Sequence, residues 1–131
     1  MLLCFLLKIN DASSVKTSSS KGSLFENFVI NEYLKQNYHN NLMHDFWFWR
    51  DAVGHEVDLI WQDSDKLNVV EIKASETIMP NLFNGLAYFD KLASAQIASK
   101  TLVHTGTFNQ QRTAARVLSW NNYGQRFISV E

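Results

Sequence analysis

Two apolar stretches separated by five polar residues constrain this chain more than any other feature. His55-Glu56-Val57-Asp58-Leu59-Ile60-Trp61 reads as one strand and Gln62 to Lys66 as a polar connection. Leu67-Asn68-Val69-Val70-Glu71-Ile72-Lys73-Ala74 then reads as the next strand. Strand side chains alternate between faces, so Glu71 and Lys73 share one face while Val70 and Ile72 point into a core. Paired as a hairpin, the two strands bring Asp58 close to Glu71. Two carboxylates beside one ammonium are what a divalent-metal phosphodiesterase requires. Oxygen ligands hold a hard cation, and the lysine positions or deprotonates a water. The same alternation also describes a solvated sheet face with cross-strand ion pairs, and a Glu-x-Lys triplet alone does not separate the two.

A third carboxylate lies upstream. The spacing predicts a helix from about Ser23 to Gln36, with Gly22 and Ser23 as the start signal and Glu26 completing a capping box. Leu24, Phe25, Phe28, Val29, Tyr33 and Leu34 recur at three- and four-residue intervals and form one buried stripe. Glu26 sits at the edge of that stripe. It either caps the helix, where its charge suits the helix dipole, or joins the other two carboxylates.

The rest of the chain completes an α/β layer. Met43 to Asp51 is aromatic on both faces, as in a strand covered on both sides, and Ala52-Val53-Gly54 turns it into the Asp58 strand. Pro80 opens a helix predicted over Asn81 to about Ala98, with Leu82, Leu86, Phe89 and Leu92 on its buried stripe. Thr101 to His104 is a further strand ended by Gly106, and Arg116 to Trp120 a last one. The resulting order is α-β-β-β-α-β.

Composition bounds the reading. A chain of 131 residues with 46% hydrophobic and 13% aromatic residues holds one domain with a packed, soluble core. Cys4 is alone, which excludes an internal disulfide and a cysteine zinc site and points to a reducing, cytoplasmic setting. His39, His44, His55 and His104 lack metal-ligand spacing and are expected to be satisfied or surface residues. The net charge of −1 argues against a strong nonspecific grip on nucleic acid. The charges are uneven, however. Residues 40–76 carry eight acidic side chains against Arg50, Lys66 and Lys73. From Lys91 onward Lys100, Arg112, Arg116 and Arg126 face only Glu131. An acidic middle suits a metal site, and the basic end either tracks a phosphate backbone or is scattered solvated surface.

Met1 to Leu7 is apolar but too short to span a bilayer, and it lacks the features of a secretory signal. Lys8 to Lys21 is rich in Ser, Thr and Asn and reads as a loop. An unpartnered Leu/Phe cluster implies packing on a neighbour or a homodimer.

Gly22-Ser23-Leu24-Phe25-Glu26-Asn27-Phe28-Val29, Phe48-Trp49-Arg50-Asp51, Gly54-His55-Glu56-Val57-Asp58 and Val70-Glu71-Ile72-Lys73 follow a known order. Together they resemble the PD-(D/E)XK, or restriction-endonuclease-like, superfamily. More narrowly, they resemble a C-terminal domain of unknown function carried by many prokaryotic AAA+ ATPases. The resemblance spans Gly22 to Trp120 and implies a mixed central sheet flanked by helices. The eponymous proline is missing, since Val57 precedes Asp58. The resemblance implies Asp58 and Glu71 as metal ligands, Glu26 as an auxiliary ligand, and the Ile72 carbonyl as a further one. It implies that Lys73 contacts the attacking water and the scissile phosphate. Glu56 is left as a supporting group or an alternative ligand. Asn84 and Tyr88 fall where related nucleases carry Gln-x-x-x-Tyr; by composition alone they are a solvated residue and a core-edge residue. Arg50 suits either a phosphate or the carboxylates of Asp58 and Glu71.

The implied activity is DNA phosphodiester hydrolysis with Mg²⁺ or Mn²⁺. The implied organisation is a nuclease-like domain over residues 22–131 behind residues 1–21, a remnant of a preceding domain. The alternative is a non-catalytic module that binds nucleic acid or protein for such an ATPase. No phosphate-binding Gly-x-x-x-x-Gly-Lys-Ser/Thr loop occurs, so an ATPase partner domain lies outside this chain.

Overall fold

The computed structural model describes residues 4–8 and 21–121. Its elements are β1 (Cys4–Lys8), α1 (Lys21–His39), β2 (Phe46–Asp51), β3 (Glu56–Asp63), β4 (Lys66–Lys73), α2 (Asn84–Ala93), β5 (Ile97–His104), β6 (Gln110–Gln111) and β7 (Arg116–Ser119). Short 3-10 turns at Pro80–Phe83 and Ser94–Gln96 flank α2. One seven-stranded sheet runs in the order β1-β2-β3-β4-β5-β7-β6. The four strands from β1 to β4 pair antiparallel; short turns join β2 to β3 and β3 to β4, while α1 lies between β1 and β2. β4, β5 and β7 pair parallel, and the β4–β5 connection crosses over through α2. The α/β class, the mixed sheet with its flanking helices and the α-β-β-β-α-β order are therefore present, with β1 and β6 added. No helix among the described residues is long and apolar enough to cross a membrane.

The sheet is covered on both faces, and alternation in the strands explains how. Phe46, Phe48, Leu59, Trp61, Val70 and Ile72 pack with Val29, Ile30 and Tyr33 of α1. Trp49, Val57, Ile60, Val69 and Leu102 pack on the other side with Leu86 and Phe89 of α2. The Tyr33 ring meets Trp61 at 5.4 Å and Phe46 at 6.5 Å, contacts that add roughly 0.5–1.5 kcal/mol each beyond area burial. Phe46 and Phe48 thus face one helix and Trp47 and Trp49 the other, as the doubly aromatic segment predicts.

One irregularity shapes the centre of the sheet. Trp47 pairs with Ile60 and Trp49 with Val57, so two steps along β2 span three along β3. The extra residue falls at Asp58-Leu59, opposite Phe48, and constitutes a β-bulge. Bulges re-aim a side chain without ending a strand. Here Val57 and Ile60 both stay on the α2 face while Asp58 is freed from simple alternation.

Several boundaries differ from expectation. α1 begins at Lys21, so Glu26 lies beyond the first turn and the capping box around Ser23 does not set the start. Its buried face is Val29, Ile30 and Tyr33, while Leu24 and Phe28 are 74% and 40% exposed. α2 ends at Ala93, and Leu92 is half exposed. Ile97 and Ala98, predicted to end the helix, instead open β5. The segment Ala93-Ser94-Ala95 has helical propensity, but the parallel edge of β4 captures Ile97 against Leu67, and pairing overrides a weak local preference. The apolar N-terminal segment was expected to pack on a neighbour or form a homodimer. Its Cys4–Lys8 part is a strand, paired with β2 from Cys4↔Asp51 to Lys8↔Trp47. The predicted loop over 9–20, the tips of both termini and Arg126 lie outside the described residues.

Candidate functional site

The β3–β4 ladder makes its last pair at Leu59↔Val70, and beyond it the link is made by a side chain. The Ile72 N–H donates to Asp58 Oδ2 at 2.8 Å. At this open end of the hairpin lies a cavity of about 200 Å³. Asp58, Glu71 and Lys73 line it from the sheet, Glu26 from α1, and Asn84 with Gly85 from the first turn of α2. His55 and Glu56 close it from the β2–β3 side. The structure thus brings Glu26, Asp58, Glu71, Lys73 and Asn84 to one cavity, although they are separated by up to 58 positions in the chain.

Asp58 and Glu71 are almost fully buried, at 3% and 4% exposure. Glu71 Oε2 accepts from Lys73 Nζ at 3.0 Å, whereas buried Glu71 Oε1 has no hydrogen-bond partner among the described residues. Burial pushes the Glu71 carboxyl up to about 7, against the pull of Lys73 and with a smaller push from the Glu56 and Glu26 charges. Partial burial acts to lower the Lys73 ammonium, but Glu71, then Asp58 and Glu26, outweigh it and raise its pKa. Lys73 is held as a cation. A buried carboxylate of near-neutral pKa beside an ammonium in a cleft is found at active sites and also in structural ion-pair networks.

Gly85 is the residue that lets α2 close the cavity. A Cβ there would collide with the Glu56 carbonyl oxygen and stand 3.5 Å from Glu71 Oε1. The helix start can approach both strands only with glycine at this position.

The remaining expected residues are placed as follows. Arg50 reaches neither Asp58 nor Glu71. Its Nη2 lies 3.6 Å from Glu56 Oε1, its cross-strand neighbour, and its guanidinium covers the Phe48 ring at 5.2 Å. The short register distance between β2 and β3 decides that pairing. Tyr88 does not enter the acidic cluster; it stacks on His55, with ring centroids 3.8 Å apart and planes 5° from parallel. Asn84 lines the acidic cavity and also a neighbouring groove with Pro80, Phe83 and Arg112. Among the described residues no three His, Cys, Asp or Glu side chains are already gathered closely enough to hold a metal ion.

Sequence reasoning missed Asp51 and His55. Asp51 is buried, and its Oδ1 accepts the backbone N–H groups of Val53, Gly54 and His55 at 3.0, 2.9 and 2.8 Å. Its Oδ2 holds His55 Nδ1 at 2.9 Å. Burial works to raise this carboxyl, yet the His55 ring and the backbone donors hold it below the usual carboxylate range. The Asp-x-x-Gly-His spacing of a side-chain-bonded turn was the available signal.

The donor set suits a hard divalent cation. Every acidic side chain in the cavity offers oxygen, and Mg²⁺ is commonly held by only one or two carboxylates with the remaining positions taken by water and phosphate. The unsatisfied buried oxygen of Glu71 is the observation that matches such an ion.

A family profile described as "Domain of unknown function (DUF4143)" matches residues 21–123. No curated protein and no solved structure matches the chain.

Proposed function

The chain belongs to the DUF4143 family, and from that premise we propose that it hydrolyses DNA phosphodiesters with a divalent metal, as a restriction-endonuclease-like domain serving an AAA+ ATPase. The reading is carried by one observation: Asp58, Glu71 and Lys73 line a single cavity in which a buried Glu71 oxygen lacks a partner. Mg²⁺ or Mn²⁺ held by Asp58 and Glu71, with Glu26 beside them, would supply Lewis acidity toward a phosphoryl oxygen and acidify a water.

The chain's own residues do the rest. Asp58 is fixed by the Ile72 N–H, so one carboxylate oxygen is positioned before any ligand arrives. Lys73, kept charged by Glu71, attracts the phosphate and stabilises the negative charge that develops on its oxygens. Burial of both carboxylates lowers the local dielectric and strengthens these interactions. Asn84, which lines both this cavity and the neighbouring groove, would contact the nucleotide beside the scissile bond.

Calorimetric titration with Mn²⁺ tests this reading. The unaltered chain should bind, and both Asp58→Asn and Glu71→Gln should abolish binding. A screen of DNA substrates should then give cleavage that depends on Lys73. Absence of Mn²⁺ binding by the unaltered chain overturns the catalytic reading in favour of a non-catalytic interaction module.

A further inference from the structure

The turn between β2 and β3 builds a fixed imidazole against the acidic cavity. Asp51 Oδ2 takes His55 Nδ1 at 2.9 Å, and the same carboxylate is anchored through Oδ1 by the three backbone N–H groups of the turn. The Tyr88 ring lies flat on the imidazole at 3.8 Å, and Trp49 braces Tyr88 at 6.2 Å. The ring is therefore held at one edge and on one face.

A carboxylate that accepts three N–H bonds is acceptor-only, so Nδ1 carries a proton, and in the neutral ring Nε2 is the nitrogen that keeps the lone pair. No described residue bonds Nε2, while His55 lines the same cavity as Asp58, Glu71 and Lys73. The Lys73 ammonium, taken up by Glu71 Oε2 at 3.0 Å, has no lone pair to offer a water.

Resting on the hydrolytic reading above, we propose that His55 is a further catalytic residue, whose Nε2 accepts the proton of the attacking water, with Asp51 as the positioning residue that sets its tautomer. In this step the water oxygen forms a bond to phosphorus as its proton passes to Nε2. The bond from phosphorus to the leaving sugar oxygen breaks with its electron pair, and that oxygen is protonated by solvent. The imidazolium returns its proton to solvent, so the net change is addition of water across one phosphodiester.

Steady-state cleavage of labelled DNA with Mn²⁺, alongside Mn²⁺ calorimetry, tests the role. His55→Gln should lower kcat about 10²–10³-fold while KM and Mn²⁺ affinity hardly change. Asp51→Asn should lower kcat comparably. Its amide oxygen can still take the three N–H bonds, but its NH₂ forces the proton onto Nε2. Free imidazole should restore part of the rate to His55→Gly and none to Asp58→Asn. If the unaltered chain cleaves and His55→Gln cleaves equally fast, the role is overturned and the function stands. Loss of Mn²⁺ binding in His55→Gln makes His55 a metal ligand and likewise overturns the role. An unaltered chain that neither binds Mn²⁺ nor cleaves overturns the hydrolytic reading and this role with it.

Discussion

Glu71 carries an electrostatic cost, because its carboxyl is buried and one of its oxygens has no hydrogen-bond partner among the described residues. Its carboxyl titrates near 7 when folded against an ordinary 4.5. Between those values the folded chain retains a proton that the unfolded chain releases, so stability falls as pH rises through that window. Thermal melts without metal should show this decline between about pH 5 and pH 8. Glu71→Gln should remove the decline and raise stability at the upper pH by on the order of 1–3 kcal/mol. Mn²⁺ affinity should strengthen over the same rise, because the ion displaces that proton. Asp58 makes a second contrast. Asparagine there keeps an acceptor for the Ile72 N–H, whereas alanine strands a buried donor. Asp58→Ala should therefore cost roughly 1–3 kcal/mol more than Asp58→Asn in denaturant unfolding. Equal losses would mean that the 2.8 Å bond contributes nothing.

At the scale of elements, α2 depends on a single glycine. Gly→Ala within a helix ordinarily stabilises by up to about 1 kcal/mol. Gly85→Ala should instead destabilise by roughly 1–3 kcal/mol, because the new methyl meets the Glu56 carbonyl and must push the helix off the sheet. A raised melting temperature would contradict the packing described for α2. The elements also show how far the sequence could be read. Strands β2, β3 and β4 were legible because apolar residues occupy consecutive or alternate positions with polar turns between them. The acidic pair was legible because Asp58 and Glu71 belong to adjacent strands. The end of α2 was not, since Ile97–Lys100 joins the sheet through partners about 30 positions away. The bulge at Asp58 and the pairing of Arg50 with Glu56 were hidden for a different reason: both depend on the register of β2 against β3, which simple alternation does not report. His55 read as an ordinary histidine because Asp51 and Tyr88 define its role only once the turn and α2 meet.

For the whole molecule, β1 matters more than its five residues suggest. It covers the outer edge of β2, and an uncovered aromatic edge strand is a template for pairing with other chains. Deleting residues 1–8 should lower the melting temperature and produce concentration-dependent association by light scattering. A deletion variant that stays monomeric with unchanged melting would show that β1 adds nothing to the sheet. The bulge in β3 carries a different consequence. Relative to β2, the strand contains one residue more than a regular ladder accepts. Loss of the Asp58 codon would set Leu59 opposite Phe48 in a regular ladder, keep both cores and leave Glu71 without its partner carboxylate. The pairing of the two carboxylates therefore hangs on one surplus residue, a misfit in the register that the two cores themselves do not need.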